Sequence, residues 1–307
     1  MSSVASWQAV SKRYRGVTAV EGVSLALEAG EVTALVGHNG AGKTTLIKLL
    51  LGLIRPDAGS VRIGGADPVG RSGAQARSAI GFLPESVAFH GAMTGEELMA
   101  FYARLKGAAL GRNAELLERV GIAHAARRRV ATYSKGMRQR LGIAQALIGE
   151  PRLLVFDEPT SGLDPASRAD VYRMIGTLRG AGVTILVSTH ALDEVEDRID
   201  RAAIMHRGKL LAAGALDELR HGVAAELRMR LRLQPCTTGR LLAVLPPEAR
   251  CIERSETTLT LLVAPHAKMQ ALRAIAQAGE IVEDVDLALP GLHDLFSRLV
   301  DAAEAAR

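Results

Sequence analysis

The first third of the chain runs in short apolar stretches. Residues 4–35 read as strands of a small sheet (WQAVSKRY, GVTAVEGVSLAL), broken by glycine and leading into the next strand. EVTALV (31–36) is apolar and β-branched almost throughout, the pattern of a strand buried on both faces. TLIKLLLGL follows with helical spacing. GLIRPDAGSVRIGG (52–65) reads as helix end, turn and strand, and IGFLPE (80–85) as a short strand ending in a carboxylate. The character then becomes helical from Thr94 to about Val130. Thr94 and Glu97 have the spacing of a capping box before EELMAFYARLKG, and AELLERVGI makes a second helix. Ser134 would cap a third, within ATYSKGMRQRLGIAQALIGEP, which stops at Gly149 and Pro151.

Strand character returns in RLLVFDE (152–158) and VTILVSTH (183–190), with a helix over 166–182 between them and a hairpin over 201–214 after them. Buried apolar strands separated by helices predict an α/β fold with a mostly parallel sheet. After about residue 222 the pattern shifts again. ELRMRLRL and TTLTLLVA alternate as strands, while TGRLLAVL and KMQALRAIAQAG read as helices, which predicts a small α+β domain. IVEDVDLAL and GLHDLFSRLV close the chain.

Composition narrows the classes. The 307 residues are 48% hydrophobic and 23% charged, ordinary for a globular protein, with 3% aromatics, so the cores are expected to be built from Leu, Val, Ile and Ala. A net charge of +5 suits an anionic ligand or membrane surface, and equally an arginine-rich solvated surface. No dense basic run with interleaved aromatics occurs, so no nucleic-acid partner is expected. MSSVASWQAVSKRYRG has no apolar core, and the run LIKLLLGLI (46–54) is too short to span a bilayer, so a cytoplasmic protein is expected. Cys236 and Cys251 lack metal-binding spacing and read as free thiols.

The chemistry starts at residues 37–45, GHNGAGKTT. Gly37, Gly42, Lys43 and Thr44 fit the phosphate-loop pattern between a buried strand and a helix start. The backbone of Gly37, His38, Asn39, Gly40, Ala41 and Gly42 would turn its amides onto phosphate oxygens. Lys43 would reach the β- and γ-phosphates, Thr44 would bind Mg²⁺, and Thr45 would open the helix. LLVFDE ends in two acids: Asp157 would hold Mg²⁺ and Glu158 would polarise the attacking water. His190, at the end of VTILVSTH, would bond the γ-phosphate, although a strand-end histidine is also an ordinary structural residue. Tyr14 would stack on adenine or serve as packing. Ser134 and Gly136 stand at a helix N-terminus, a second phosphate site.

GHNGAGKTT, Glu85 after IGFLP, YSKGM, LLVFDEPTSGLD and His190 follow one another as in the ABC-transporter ATPases, and residues 4 to about 220 resemble that family. The resemblance implies an ABC-type P-loop nucleotide-binding domain over 1–220, with an antiparallel β-subdomain and a helical signature subdomain at about 86–150. Residues 221–307 are then an accessory domain, either a regulatory or dimerising module or a stabilising cap. It also implies ATP and Mg²⁺ as ligands and a head-to-tail pair of cassettes. Ser134, Lys135 and Gly136 of one copy would then close on the ATP of the other, with Asp164 at the dimer contact.

Several positions depart from the family pattern: the signature, usually LSGGQ, here reads Tyr133, Ser134, Lys135, Gly136 and Met137. Lys135 stands where the signature usually has glycine, adding a charge near the γ-phosphate. Glu85 replaces the usual glutamine; it would still approach Mg²⁺ but donates no hydrogen bond. Val87, Phe89 and Met93 are apolar in the segment that meets the membrane partner in the wider family, or else belong to a local core.

GHNGAGKTTLIKLLLGLIRPDAG, LPESVAFHGAMTG and TYSKGMRQRLGIAQALIGEP are most similar to the NosF family, ATPases serving copper-site maturation of nitrous oxide reductase in denitrifying bacteria. That resemblance implies a second copy of the chain, a NosY-like permease, a NosD-like periplasmic subunit and a place on the cytoplasmic face of the inner membrane. The competing reading is the ATPase of an ABC-2-type exporter for a lipid, drug or polysaccharide. A soluble ATPase acting on ribosomes or DNA would be expected to carry two cassettes or a long coiled coil, and neither occurs.

Overall fold

The computed structural model describes residues 3–222 and 226–305. The chain forms two compact units, Met1–Ala215 and Leu216–Arg307.

In the first unit, β1 (Ser3–Tyr14), β2 (Val17–Glu28), β3 (Val32–Val36), α1 (Lys43–Leu50), β4 (Ala58–Ile63), α2 (Gly73–Ser78) and β5 (Ile80–Leu83) come first. The helices α3 (Gly95–Lys106), α4 (Asn113–Arg119) and α5 (Lys135–Leu147) follow. Then come β6 (Leu153–Asp157), α6 (Pro165–Gly180), β7 (Thr184–Thr189), the short α7 (Leu192–Val195), β8 (Arg201–His206) and β9 (Lys209–Ala215).

These strands make two sheets. One is antiparallel in the order β2-β1-β4. The other has the order β5-β6-β7-β3-β8-β9, parallel from β5 to β8 with β9 antiparallel at the edge. Every residue of β3, β6 and β7 is buried, which is why their sequences are near-continuous apolar runs. Helix α1 contacts both sheets, and its Leu46, Ile47, Leu49 and Leu50 join Trp7 and Leu27 on one side and Leu35 and Val155 on the other in a single core. The Trp7 indole donates to Leu46 O at 3.2 Å, satisfying the one polar atom of that buried ring.

The element boundaries differ from the sequence reading in places. α1 begins at Lys43 and ends at Leu50. β5 stops at Leu83 rather than Glu85, because Pro84 has no amide to give the ladder. α2, six residues of GAQARS, carries no apolar period that would announce it. The Thr94–Glu97 capping box is present, with Glu97 N donating to Thr94 Oγ1 at 3.2 Å and Thr94 N to Glu97 Oε2 at 2.8 Å. α5 packs on β5 and so ties the helical segment to the sheet; a Cβ on its Gly142 would lie 2.6 Å from Leu83 Cδ1.

The second unit comprises α8 (Leu216–Gly222), β10 (Leu227–Leu233), α9 (Thr238–Leu242), β11 (Ala249–Arg254), β12 (Thr258–Val263), α10 (Lys268–Gln277), β13 (Val282–Ala288) and α11 (Leu292–Ala305). Its antiparallel sheet has the order β11-β12-β10-β13. Leu227, Met229, Leu231 and Leu233 alternate inward against α9 and α10, and Arg228, Arg230 and Arg232 alternate outward. No helix among the described residues is long and apolar enough to cross a membrane.

Candidate active site

The sheet order places the C-terminal ends of β5, β6, β7 and β3 side by side. Glu85 follows the first, Asp157 and Glu158 the second, His190 the third and the loop 37–42 the fourth. An open parallel sheet offers its ligand crevice at this edge.

The loop is shaped by two glycines that admit no side chain. A Cβ at Gly37 would lie 2.6 Å from Met205 O. One at Gly42, whose φ is +104°, would lie 2.5 Å from Ala19 O. Ala41 N bonds His38 O at 3.1 Å and closes the turn, leaving the first amides of α1, at Lys43, Thr44 and Thr45, without intrahelical acceptors. His38, Asn39, Gly40 and Thr44 are exposed at this surface. The Lys43 ammonium is buried, donating to Gly37 O at 2.6 Å and His38 O at 3.4 Å.

Lys43 also reaches across to the acidic pair, 3.3 Å from Glu158 Oε1. That contact is ionic without hydrogen-bond geometry, so the buried Oε1 keeps an unfilled acceptor. Glu158 Oε2 is 2.7 Å from His190 Nδ1. Glu158 sits at φ +48°, a left-handed conformation that costs a residue with a Cβ about 1–3 kcal/mol and recurs at functional sites. The buried carboxylate of Asp157 accepts from Ser188 Oγ at 2.6 Å. Two buried acids, one cation and an open acceptor fit a metal-bound polyphosphate, whose phosphates supply most of the ligands that Mg²⁺ needs. The structure therefore brings Lys43, Asp157, Glu158 and His190 together.

Tyr14, 42% exposed at the tip of the β1–β2 hairpin, has the Lys12 ammonium 5.8 Å from its ring centroid. The same hairpin touches the loop, since Ala19 O borders Gly42. Glu85 is exposed just past the end of β5. Lys135 lies against Gly162 of the segment SGLD in its own chain, and Gly136 lies against Ser167 at the start of α6. Ser134 caps α5 by accepting from Met137 N at 3.2 Å, and its hydroxyl proton remains available to an acceptor. A Cβ on Gly136 would lie 2.7 Å from Ser167 Oγ, and one on Gly162 would collide with the Lys135 ammonium. Asp164 caps α6; the Ser167 hydroxyl and amide both bond it and hold its carboxyl below the ordinary range.

The profile of the ABC transporter family matches residues 20–161. The daunorubicin resistance ATP-binding protein DrrA3 of Streptomyces coeruleorubidus is 38% identical, over 94% of this chain and 93% of its own length. The linearmycin resistance ATP-binding protein LnrL of Bacillus subtilis is 34% identical over 76% of each chain. The chain belongs to the ABC transporter ATP-binding family. A solved ATP-binding subunit of an ABC transporter superposes with a TM-score of 0.65 at 30% identity, covering 71% of this chain and 92% of that one. As a member of the family the chain is an ATPase that binds ATP, and subunits of this kind dimerise and pair with a membrane permease.

The finer resemblance to NosF is corrected by these relatives. They bear drug-resistance names, and copper maturation, nitrous oxide reductase and denitrification find no support among them. Two residues of this ABC ATPase escaped sequence reading. Ser188 is fully buried; it donates to Asp157 and its Oγ accepts from Glu158 N at 2.9 Å. Gln139, buried on α5, donates to Pro159 O at 2.8 Å, fixing the residue after Glu158. The signal for both was a polar residue where the apolar pattern demands burial.

Proposed function

We propose that the chain is the ATP-hydrolysing subunit of an ABC-2-type exporter that moves a drug-like amphipathic molecule. The observation that supports this reading is the extent of the match to a daunorubicin resistance protein, which includes the second unit as well as the cassette. A copper-maturation role with NosY-like and NosD-like subunits has no observation in its favour.

Lys43 and the amides of residues 37–45 would hold the phosphates. Thr44 and Asp157 would hold Mg²⁺, with Glu85 beside them, and the ion would neutralise charge developing on the transferred phosphoryl oxygens. Glu158, with its unfilled acceptor, would orient and deprotonate water, and His190 would hold Glu158 in place through Nδ1 while its other nitrogen faces the γ-phosphate. Tyr14 would stack on adenine. Ser134, Lys135 and Gly136 of a second copy would complete the site, so that hydrolysis requires a closed pair. Phe101 and Leu105, exposed on α3, together with half-buried Val87, Phe89 and Met93, would receive a cytosolic helix of the permease. That docking would hold the chain at the cytoplasmic face of the inner membrane. Residues 221–307 would serve as a regulatory or dimerising module.

The reading is tested by expressing the chain with the permease of its own operon in a drug-sensitive bacterium. The expected result is raised tolerance to daunorubicin that disappears with Lys43→Ala. Tolerance that survives Lys43→Ala, or none with any amphipathic drug while the purified complex hydrolyses ATP, would reject it.

A further inference from the structure

A buried hydroxyl lies between the two halves of this site and is so far unaccounted for. Tyr172, on α6, is 2% exposed. Its Oη is 3.3 Å from Thr160 Oγ1, and the Thr189 hydroxyl lies close enough to influence it. Thr160 lies two residues after Glu158, and Thr189 immediately precedes His190. Both threonines are buried. Thr189 Oγ1 further accepts from Ala191 N at 3.0 Å, pinning the turn that presents the imidazole. The ring is held as well, with the Arg198 guanidinium 5.9 Å from its centroid. One helical turn earlier, Arg168 Nη1 pairs with Glu194 Oε1 at 2.5 Å and straps α6 to α7, the helix that follows His190.

Packing alone does not call for this hydroxyl, because phenylalanine would fill the same volume. A buried phenol must instead find partners, and the two threonine hydroxyls beside this one sit on separate elements that each carry one member of the Glu158–His190 pair. We propose that Tyr172 is a positioning residue, whose hydroxyl clamps the loop of Glu158 to the turn of His190 and so maintains their 2.7 Å contact. The proposal rests on the reading of Glu158 and His190 as the hydrolytic pair. Because the helix of Tyr172 is capped by Asp164, the clamp also ties that pair to the segment expected at the dimer contact.

The test uses the full-length protein carrying Tyr172→Phe and, separately, Thr160→Val, which removes one partner and leaves the ring in place. Each is expected to lower kcat for ATP about five-fold, the equivalent of one net hydrogen bond, with KM unchanged and the thermal midpoint lowered by the buried hydroxyl left short of a partner. The imidazole ¹⁵N resonance of His190, assigned by its loss in His190→Ala, is expected to move in both variants toward that of an unpaired imidazole. An unmoved resonance overturns the proposal, whether kcat is kept or falls together with the thermal midpoint. Wild-type hydrolysis by His190→Ala would instead sink the underlying reading of the pair, independently of where the resonance moves in Tyr172→Phe.

Discussion

Glu158 shows how much of the site depends on single atoms. Its left-handed backbone is held by its own amide, which donates to Ser188 Oγ at 2.9 Å and to Ser188 O at 3.2 Å. Glu158→Gln keeps the shape and removes the proton acceptor. It is expected to bind ATP, to trap a closed pair of cassettes detectable by size-exclusion chromatography, and to lose about 10²–10⁴-fold in turnover. Ser188→Ala removes a donor from buried Asp157 and an acceptor from the Glu158 amide. It should lower turnover and also cost about 1–3 kcal/mol of stability, measured by denaturant titration, because both groups stay buried. At this scale, Lys43, Asp157, Glu158 and His190 were legible, since each follows an apolar strand whose end must face a ligand. Ser188, Gln139 and Tyr172 were not, because their partners are 20 to 31 positions away or lie on another element. Lys135, expected to face the ATP of a second copy, has its ammonium against Gly162 within the single chain.

At the scale of elements, the local rules that worked are those with a local cause. The Thr94 capping box and the Ser134 cap were read directly, and both helices start there. Thr94→Ala is expected to cost about 1 kcal/mol in a thermal or denaturant melt, the usual worth of an N-cap. β13 was harder to see, because an edge strand exposed along most of its length lacks the alternation that marks β10. Glu226, just before β10, links two elements of the second unit by accepting from Arg250 at 2.9 Å and Arg298 at 2.8 Å. Burial pushes its carboxyl up, but the hydrogen bonds and charges of the two arginines outweigh this and leave it below its ordinary value. A depressed carboxyl stabilises the fold above the unfolded-state value and loses that contribution as pH falls through the folded value. Thermal melts of wild type and Glu226→Gln should therefore differ at neutral pH and converge as the pH falls below the ordinary glutamate range.

For the whole molecule, the parallel sheet and its nucleotide edge follow from a long series of apolar strands, and motif order sufficed to name the family. What the ATPase drives was not legible in the cassette, whose chemistry is common to ATPases with many cargoes. The proposed cargo rests on drug-resistance relatives whose matches extend over both units. The most direct measurement is ATP-dependent accumulation of daunorubicin in inside-out membrane vesicles that contain the chain and its permease. Accumulation is expected with the wild-type chain and none with Lys43→Ala or Glu158→Gln. Vesicles that hydrolyse ATP through the wild-type chain yet accumulate no drug, or accumulate it equally with Glu158→Gln, would contradict it.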